Sequence, residues 1–245
     1  MEGAKSDPGK QVQSARKAIA ARFLKGNGLE VGAGDRPFPV PEHVRICYGD
    51  IRGRESLQSY FSDSEIKSGA AVDAQTFAGL DADSLDFVIS AHVIEHLRDP
   101  VGSIVQAVRV LKPGGVLVLV VPDLRWTFDR NRPETTVEHA LRDFQDGGEG
   151  TARQGYEEHL RYVHPYLTGE DHPEHEIQRQ ATECVKRWPE LDVHFHAWTR
   201  DGFQLLLAAV AEMAPFDIEA AESSVNENIF VLRKRTEVSR SFQAS

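Results

Sequence analysis

Positive charge is in short supply in this chain. Its 245 residues carry 28 Lys and Arg against 38 Asp and Glu, a formal net charge of −10. Binding nucleic acid through its phosphates runs on surplus positive charge, so a nucleic-acid partner is not expected. The densest basic run, Arg233-Lys234-Arg235, reads as the solvated end of a strand. Cysteine is scarcer still. Cys47 and Cys184 cannot build a disulfide framework, and without a CxxC spacing they mark no structural zinc site. Long apolar runs are missing as well. The longest, Val116–Val121 and Leu205–Val210, fall far short of the roughly 20 residues that span a bilayer. The opening MEGAKSDPGKQ has no apolar centre and does not read as a secretory signal. The expectation is a soluble protein of a reducing cytoplasm with no membrane partner. Nothing in the sequence sets its oligomeric state.

What is present is an ordinary globular mixture, 40% hydrophobic and 27% charged. That length suits one domain, 1–245, with room for a large insertion. Residues 1–10 read as a loose tail. From about Gln11 to Leu24 the spacing of Val12, Ala15, Ile19 and Phe23 predicts an amphipathic helix. Short strands are expected at Leu29–Val31, Val44–Tyr48, Ala70–Val72 and Asp86–Ser90. A helix over Val101–Leu111 is stopped by Lys112-Pro113-Gly114-Gly115. Val116–Val121 is short and wholly apolar, the mark of a strand buried on both faces of a parallel sheet. The alternation then breaks. Residues 123–198 are polar, rich in His, Arg, Glu and Tyr, and hold helical stretches but no strong strand. The core resumes with a helix over Arg200–Met213 and two closing strands, Phe216–Ala220 and Asn228–Leu232. Strands alternating with helices predict an α/β domain with right-handed crossovers.

Chemistry gathers at the strand ends. Leu29-Glu30-Val31-Gly32-Ala33-Gly34 is a strand running into a Gly-x-Gly turn, where glycine permits a tight turn and close approach to a ligand. A dinucleotide fingerprint would place a third glycine three residues on, but Pro37 stands there. A bound pyrophosphate is therefore disfavoured. Asp50 follows Glu30 by 20 residues at the end of the second strand, where an acid can accept both hydroxyls of a ribose. Asp73 closes the third strand. Three acids on one rim without a phosphate cradle suit a ligand with a ribose diol, an exocyclic amine and positive charge. S-Adenosylmethionine has all three and no phosphate.

The order of strand, Gly-x-Gly turn, acid and acid, followed by SAHVIEHLRDP and RVLKPGGVLVLVVPD, resembles the class I S-adenosylmethionine-dependent methyltransferases. The similarity is greatest to the small-molecule group with E-H-L and L-K-P-G-G signatures. It covers about residues 18–123 and returns near 200–232. With the strands read above, it implies a Rossmann-like, mostly parallel seven-stranded sheet with helices on both faces and a largely helical insertion after the fifth strand. By position it implies that Glu30, Gly32 and Gly34 form the first cofactor loop. Asp50, with Ile51 beside it, would bind the ribose, and Asp73 with Ala74 the adenine amine. Ser90 and His92 would lie by the methionine part. Arg36 stands where many members have a third glycine, which leaves the path of the loop open.

Methyl transfer from a sulfonium is an in-line displacement that needs alignment, exclusion of water and a place for the acceptor's proton. An amine with a neutral lone pair needs little beyond alignment. An alcohol calls for a general base or a metal. Acceptor specificity is expected from the insertion, about 75 residues over 123–198, read as a substrate-binding lid. Thr135 with Glu138 fits a capping box opening a helix over about Thr136–Phe144. On that helix His139 and Asp143 share a face. The spacing suits a base with its orienting carboxylate, two ligands to one divalent metal, or a solvated pair. His194 and His196 occupy alternate positions, so in an extended segment both would point one way, as bases, acceptor ligands, metal ligands or core histidines. His92 and His96 straddle Glu95, with His96 read as structural. Asp123, Arg125, Trp126, Asp129, Arg132, Tyr156 and Tyr162 suit a polyhydroxylated acceptor. The insertion also weakly resembles methyltransferases of sugar and cell-surface glycan pathways. The expectation is O-methylation of a small polar acceptor, such as a sugar or glycoside. His139, His194 or His196 would be the base and Asp143 its orienter. The alternatives are an N- or carboxylate-methyltransferase, or a cofactor-binding module without transfer.

Overall fold

The computed structural model describes residues 7–60, 67, 69–188 and 190–236. The first six residues of the expected tail lie outside that range. The first helix, α1 (Pro8–Phe23), begins earlier than its apolar spacing suggested. Asp7 explains this: its side chain accepts the Gly9 N–H at 2.9 Å, and Pro8 carries a preset φ into the first turn. Seven strands follow: β1 (Asn27–Val31), β2 (Arg45–Asp50), β3 (Ala70–Ala71), β4 (Leu85–Ala91), β5 (Leu111–Pro122), β6 (Phe216–Ser224) and β7 (Glu227–Lys234). They form one sheet in the order β3-β2-β1-β4-β5-β7-β6. Strands β1 to β5 pair in parallel, and β7 runs antiparallel to both β5 and β6. This is the expected Rossmann-like sheet.

Strand β5 shows why the sheet sits at the centre. Val116, Val118 and Val120 join Ile19, Ala20 and Phe23 of α1 on one face. Leu117, Leu119 and Val121 turn to the other face, against α3 (Pro100–Val110) and α8 (Arg200–Val210), where Ile104, Val108, Phe203 and Leu207 are buried. A continuous apolar run is what alternation demands of a strand covered on both sides, and each such side chain contributes about 1.5–3 kcal/mol. One helix between β2 and β3, α2 (Arg54–Tyr60), had no sequence forecast.

The insertion leaves and rejoins the sheet at one place. Asp123 bridges Trp198, and Leu124 N–H donates to the Trp198 carbonyl at 2.9 Å. Between these points lie α4 (Val137–Asp146), α5 (Ala152–Glu158), a π-helical turn (His159–Val163), α6 (His164–Thr168) and α7 (Glu174–Lys186). Tyr156, Leu160, Ile177, Ala181 and Phe195 give α5 and α7 a small core of their own. Helix α4 is capped one residue later than the capping-box pattern suggested. Thr136 accepts the His139 N–H at 3.1 Å. Thr135 is instead drawn inward, accepting the Ala197 N–H at 3.1 Å and pinning the start of the insertion to its end. Among the described residues, no helix is long and apolar enough to cross a membrane.

Candidate active site

A cavity of about 940 Å³ opens at the carboxyl ends of β1, β2 and β4. That is the crevice where open α/β sheets take ligands, and the volume suits a small molecule. Of the residues expected at the cofactor, Gly32, Asp50, Ile51, Asp73, Ala74 and His92 line it. The insertion supplies another wall through Trp188, Glu190, Leu191, Asp192 and Phe195. Gly32 sits at φ +66°, and an added Cβ would lie 2.5 Å from the Val93 side chain, so the turn has no room for a larger residue. The acids on the rim also shape their own turns. Asp50 accepts the Arg52 N–H at 2.8 Å, and Asp73 accepts Gln75 N–H at 2.8 Å and the Thr76 hydroxyl at 2.9 Å.

Glu30 does not line the cavity. Its carboxylate is buried beneath the turn and accepts the Phe38 N–H at 2.9 and 3.1 Å. Burial pushes its pKa up to about 7, against the opposing pull of that N–H and of Arg16. Gly34, at φ +54°, completes the turn outside the lining residues. Ser90 is buried at the end of β4, and its hydroxyl has no hydrogen-bond partner. The glycine cradle, the strand-end acids and this orphaned hydroxyl are a donor and acceptor set that fits an adenosyl nucleoside with an amino-acid tail.

The floor of the cavity is built from histidines backed by carboxylates. His92 holds the backbone at φ +54°, an uncommon conformation for a residue with a side chain. Its Nε2 lies 2.9 Å from Glu227 Oε2 and its Nδ1 3.6 Å from Glu95 Oε1. Arg16 grips Glu227 with two hydrogen bonds of 2.9 and 2.6 Å. Burial opposes the charge on Glu227, but Arg16 and His92 together hold its pKa below the ordinary value. His96 also lines the cavity, and its Nδ1 lies 2.6 Å from Asp192 Oδ1. Burial disfavours its charged form, yet Asp192 and Glu95 outweigh this and raise its pKa. Glu95 itself is fully buried, and neither carboxylate oxygen has a hydrogen-bond partner.

The two histidines of the HFH segment part company. His194 turns toward His96, behind the residues that line the cavity, with Nδ1 2.6 Å from Asp129 Oδ2 and its ring edge-on to His96 at 4.5 Å. His196 turns instead to α4, stacked on Trp198 with ring centroids 5.2 Å apart. The expectation that both point one way fails because the segment is not extended. The Phe195 and His196 N–H groups both donate to the Glu95 carbonyl, at 2.8 and 3.1 Å, which bends the chain and breaks the alternation.

His196 joins His139 and Asp143 in a second cluster that does not line the cavity. Asp143 Oδ2 lies 3.4 Å from His139 Nε2 and 3.7 Å from His196 Nε2, while Oδ1 accepts the Thr151 hydroxyl. Burial, with His139 and Arg132 nearby, drives the His196 pKa down to about 3. Several residues expected to meet a polar acceptor serve as scaffold. Arg132 is fully buried, donating to Asp129, to Glu158 and to the carbonyls of His194 and Phe195. Tyr156 lies in the small core, and Asp123 pairs with Arg125. Tyr162 lines a separate polar cavity of about 390 Å³ with Asn131, Arg161 and Tyr166. Trp126 stays exposed. Sequence reasoning left out Glu95, Asp192, Arg16 and Glu227 as site residues. Only the placing of Glu95 between two histidines signalled it.

The fold is that of the class I methyltransferases. The chain matches the methyltransferase domain family over residues 8–210 and belongs to it. It is an S-adenosylmethionine-dependent methyltransferase. Among solved structures it is similar to the CurJ carbon methyltransferase, with a TM-score of 0.51 and 16% identity over 95% of this chain. This chain spans only 56% of that one. It is also similar to the N-methyltransferase NodS from Bradyrhizobium japonicum WM9 in complex with S-adenosyl-L-homocysteine. There the TM-score is 0.49 and the identity 14%, covering 95% of this chain and 90% of that one. No curated protein matches the chain.

Proposed function

We propose that the chain transfers a methyl group to a hydroxyl of a small polar acceptor, with a sugar or glycoside as the favoured class. One observation carries the reading: His92 and His96, each backed by a carboxylate, face the cavity that Asp50 and Asp73 also line. An amine with a free lone pair needs only alignment, whereas a hydroxyl must give up a proton. Histidines gathered round a buried carboxylate are machinery for the second case.

Asp50 would take the ribose hydroxyls, Asp73 and Ala74 the adenine edge, and Ser90 the amino-acid tail, with Gly32 admitting the close approach. S-Adenosylmethionine supplies an electrophilic methyl carbon whose bond to sulfur breaks, leaving the electron pair on sulfur. His92 is assigned the acceptor's proton. Its Nε2–H is donated to Glu227, which leaves Nδ1 to receive the proton, and Glu95 then faces the imidazolium. Trp188, Glu190, Leu191, Asp192 and Phe195 of the insertion wall the cavity and would shield the transfer from water. His139, Asp143 and His196, off the cavity, are assigned to holding α4 against residues 195–198.

The test is transfer of a labelled methyl group to matched sugars, glycosides, amines and carboxylic acids, with the product located by mass spectrometry. Label on a hydroxyl is expected. Label confined to nitrogen or carboxylate, or cofactor binding without transfer to any of the panel, refutes the reading. His92→Ala should lower kcat by about 10²- to 10⁴-fold, the usual contribution of a general base.

A further inference from the structure

The Glu95 group is built in a way that proton transfer alone does not require. A carboxylate with no exposed surface normally has its oxygens hydrogen-bonded, because an unpaired buried charge costs several kcal/mol or more. Both Glu95 oxygens lack a hydrogen-bond partner. Around Oε1 stands imidazole nitrogen held back from contact. His92 Nδ1 stands 3.6 Å from Oε1, and His96 Nε2 stands 4.0 Å from it. One ligand atom from each of Glu95, His96 and His194 lies within 4.8 Å of the others.

Carboxylates also stand behind the rings. Asp129 is hydrogen-bonded to Nδ1 of His194 at 2.6 Å, and Asp192 makes an ion-pair contact of 2.6 Å with Nδ1 of His96 without the alignment of a hydrogen bond. Each ring keeps Nε2 for a further partner. A carboxylate behind a histidine, fixing its tautomer and raising its basicity, is the usual outer shell of a metal ligand. Arg132 fixes Asp129 in turn. Ligand atoms on a shared ion at about 2.0–2.2 Å stand roughly 3–3.5 Å apart, so the group would contract by about an ångström on binding. His96 lines the cavity, which gives an ion its way in.

We infer that Glu95, His96 and His194 bind one divalent first-row cation at the floor of the cavity. Two imidazoles and one carboxylate suit Mn(II), Co(II) or Zn(II) better than Mg(II). The His139, Asp143 and His196 cluster has a similar composition. It does not line the cavity, and among the described residues no carboxylate is paired with its histidines from behind, so it is not assigned an ion. The site stands on this geometry. Its use rests on the hydroxyl reading above: an ion here lowers the pKa of an acceptor hydroxyl beside His92. The oxygen then forms its bond to the methyl carbon, the carbon–sulfur bond breaks toward sulfur, and the hydroxyl proton passes to His92.

The experiment is titration of the EDTA-stripped, dialysed full chain with Mn(II), counting free ion by electron paramagnetic resonance, and with Co(II), followed by visible absorption. One ion per chain is expected. Glu95→Gln and His194→Ala should each weaken binding by about 100-fold or more, and Asp129→Asn by about 10- to 100-fold. Asp143→Asn should bind as the wild type does. Should Glu95→Gln fail to fold, Mn(II) broadening of the His96 and His194 ring protons in the wild-type spectrum answers the same question. No saturable binding, or binding lost in Asp143→Asn and kept in Glu95→Gln, overturns the assignment. The two proposals fail separately. A chain that binds the ion and methylates only amines loses the hydroxyl reading, and one that methylates hydroxyls with no ion bound loses the metal site.

Discussion

Arg132 offers the most demanding test of how the insertion is held. Its side chain has no exposed surface and meets four acceptors: Asp129 Oδ1 at 3.3 Å, the His194 carbonyl at 2.6 Å, the Phe195 carbonyl at 2.9 Å and Glu158 Oε2 at 2.9 Å. Arg132→Ala removes one buried charge and strands Asp129, itself buried, beside His194. Removing one partner of a buried pair typically costs about 3–5 kcal/mol, because the remaining charge stays uncompensated. For a domain of this size that lowers Tm by roughly 6–20 °C. Lysine should not rescue it, since one nitrogen cannot reach acceptors that the planar guanidinium spans with two. The assay is urea unfolding of wild type, Arg132→Ala and Arg132→Lys followed by circular dichroism. A loss below about 1 kcal/mol in Arg132→Ala would mean the pair is no more than a surface-type contact and would refute the reasoning.

Asp50→Ala should weaken S-adenosylhomocysteine binding by about 5- to 150-fold, equivalent to 1–3 kcal/mol for a lost buried hydrogen bond to a charged group, as read by calorimetry. Unchanged affinity would remove Asp50 from the site. Gly32→Ala should both strain the φ of +66° and press on Val93, so cofactor affinity should fall by tenfold or more; near-native affinity would show that the turn yields. Glu30 has a folded pKa of about 7 against an ordinary value of 4.5. The folded state therefore holds a proton that the unfolded state releases, and stability from this group declines as pH rises from about 4.5 to 7, by about 3 kcal/mol in all. Glu30→Gln removes that decline. The difference between the two proteins, measured by urea unfolding across this pH range, cancels the opposite slope from His196, whose pKa is depressed to about 3. A flat difference would refute the assignment.

The sheet was legible in the sequence because its signals are local. Val116–Val121 reads as a strand covered on both faces whatever its neighbours are, and it is so covered. Asp50 and Asp73 read as strand-end acids because a strand's end and its next turn lie within a few residues, and both line the cavity. Asp7 shows the limit of apolar spacing: a cap, not a hydrophobic residue, set where the first helix starts. The insertion resisted for a different reason. His194 finds Asp129 across 65 residues, and His92 finds Glu227 across 135. No periodicity carries such pairings, since they exist only once the sheet has brought β4 and β7 to either side of β5 and the insertion has packed against itself. By itself the sequence determined a parallel α/β core and the acids along its rim, because strand burial and turn chemistry act over a few residues. Only the tertiary structure decided that Glu30 turns under its loop, that His194 and His196 part at a bend, and that Glu95 lies unpartnered among histidines. Those outcomes depend on which distant groups compete for the same buried space.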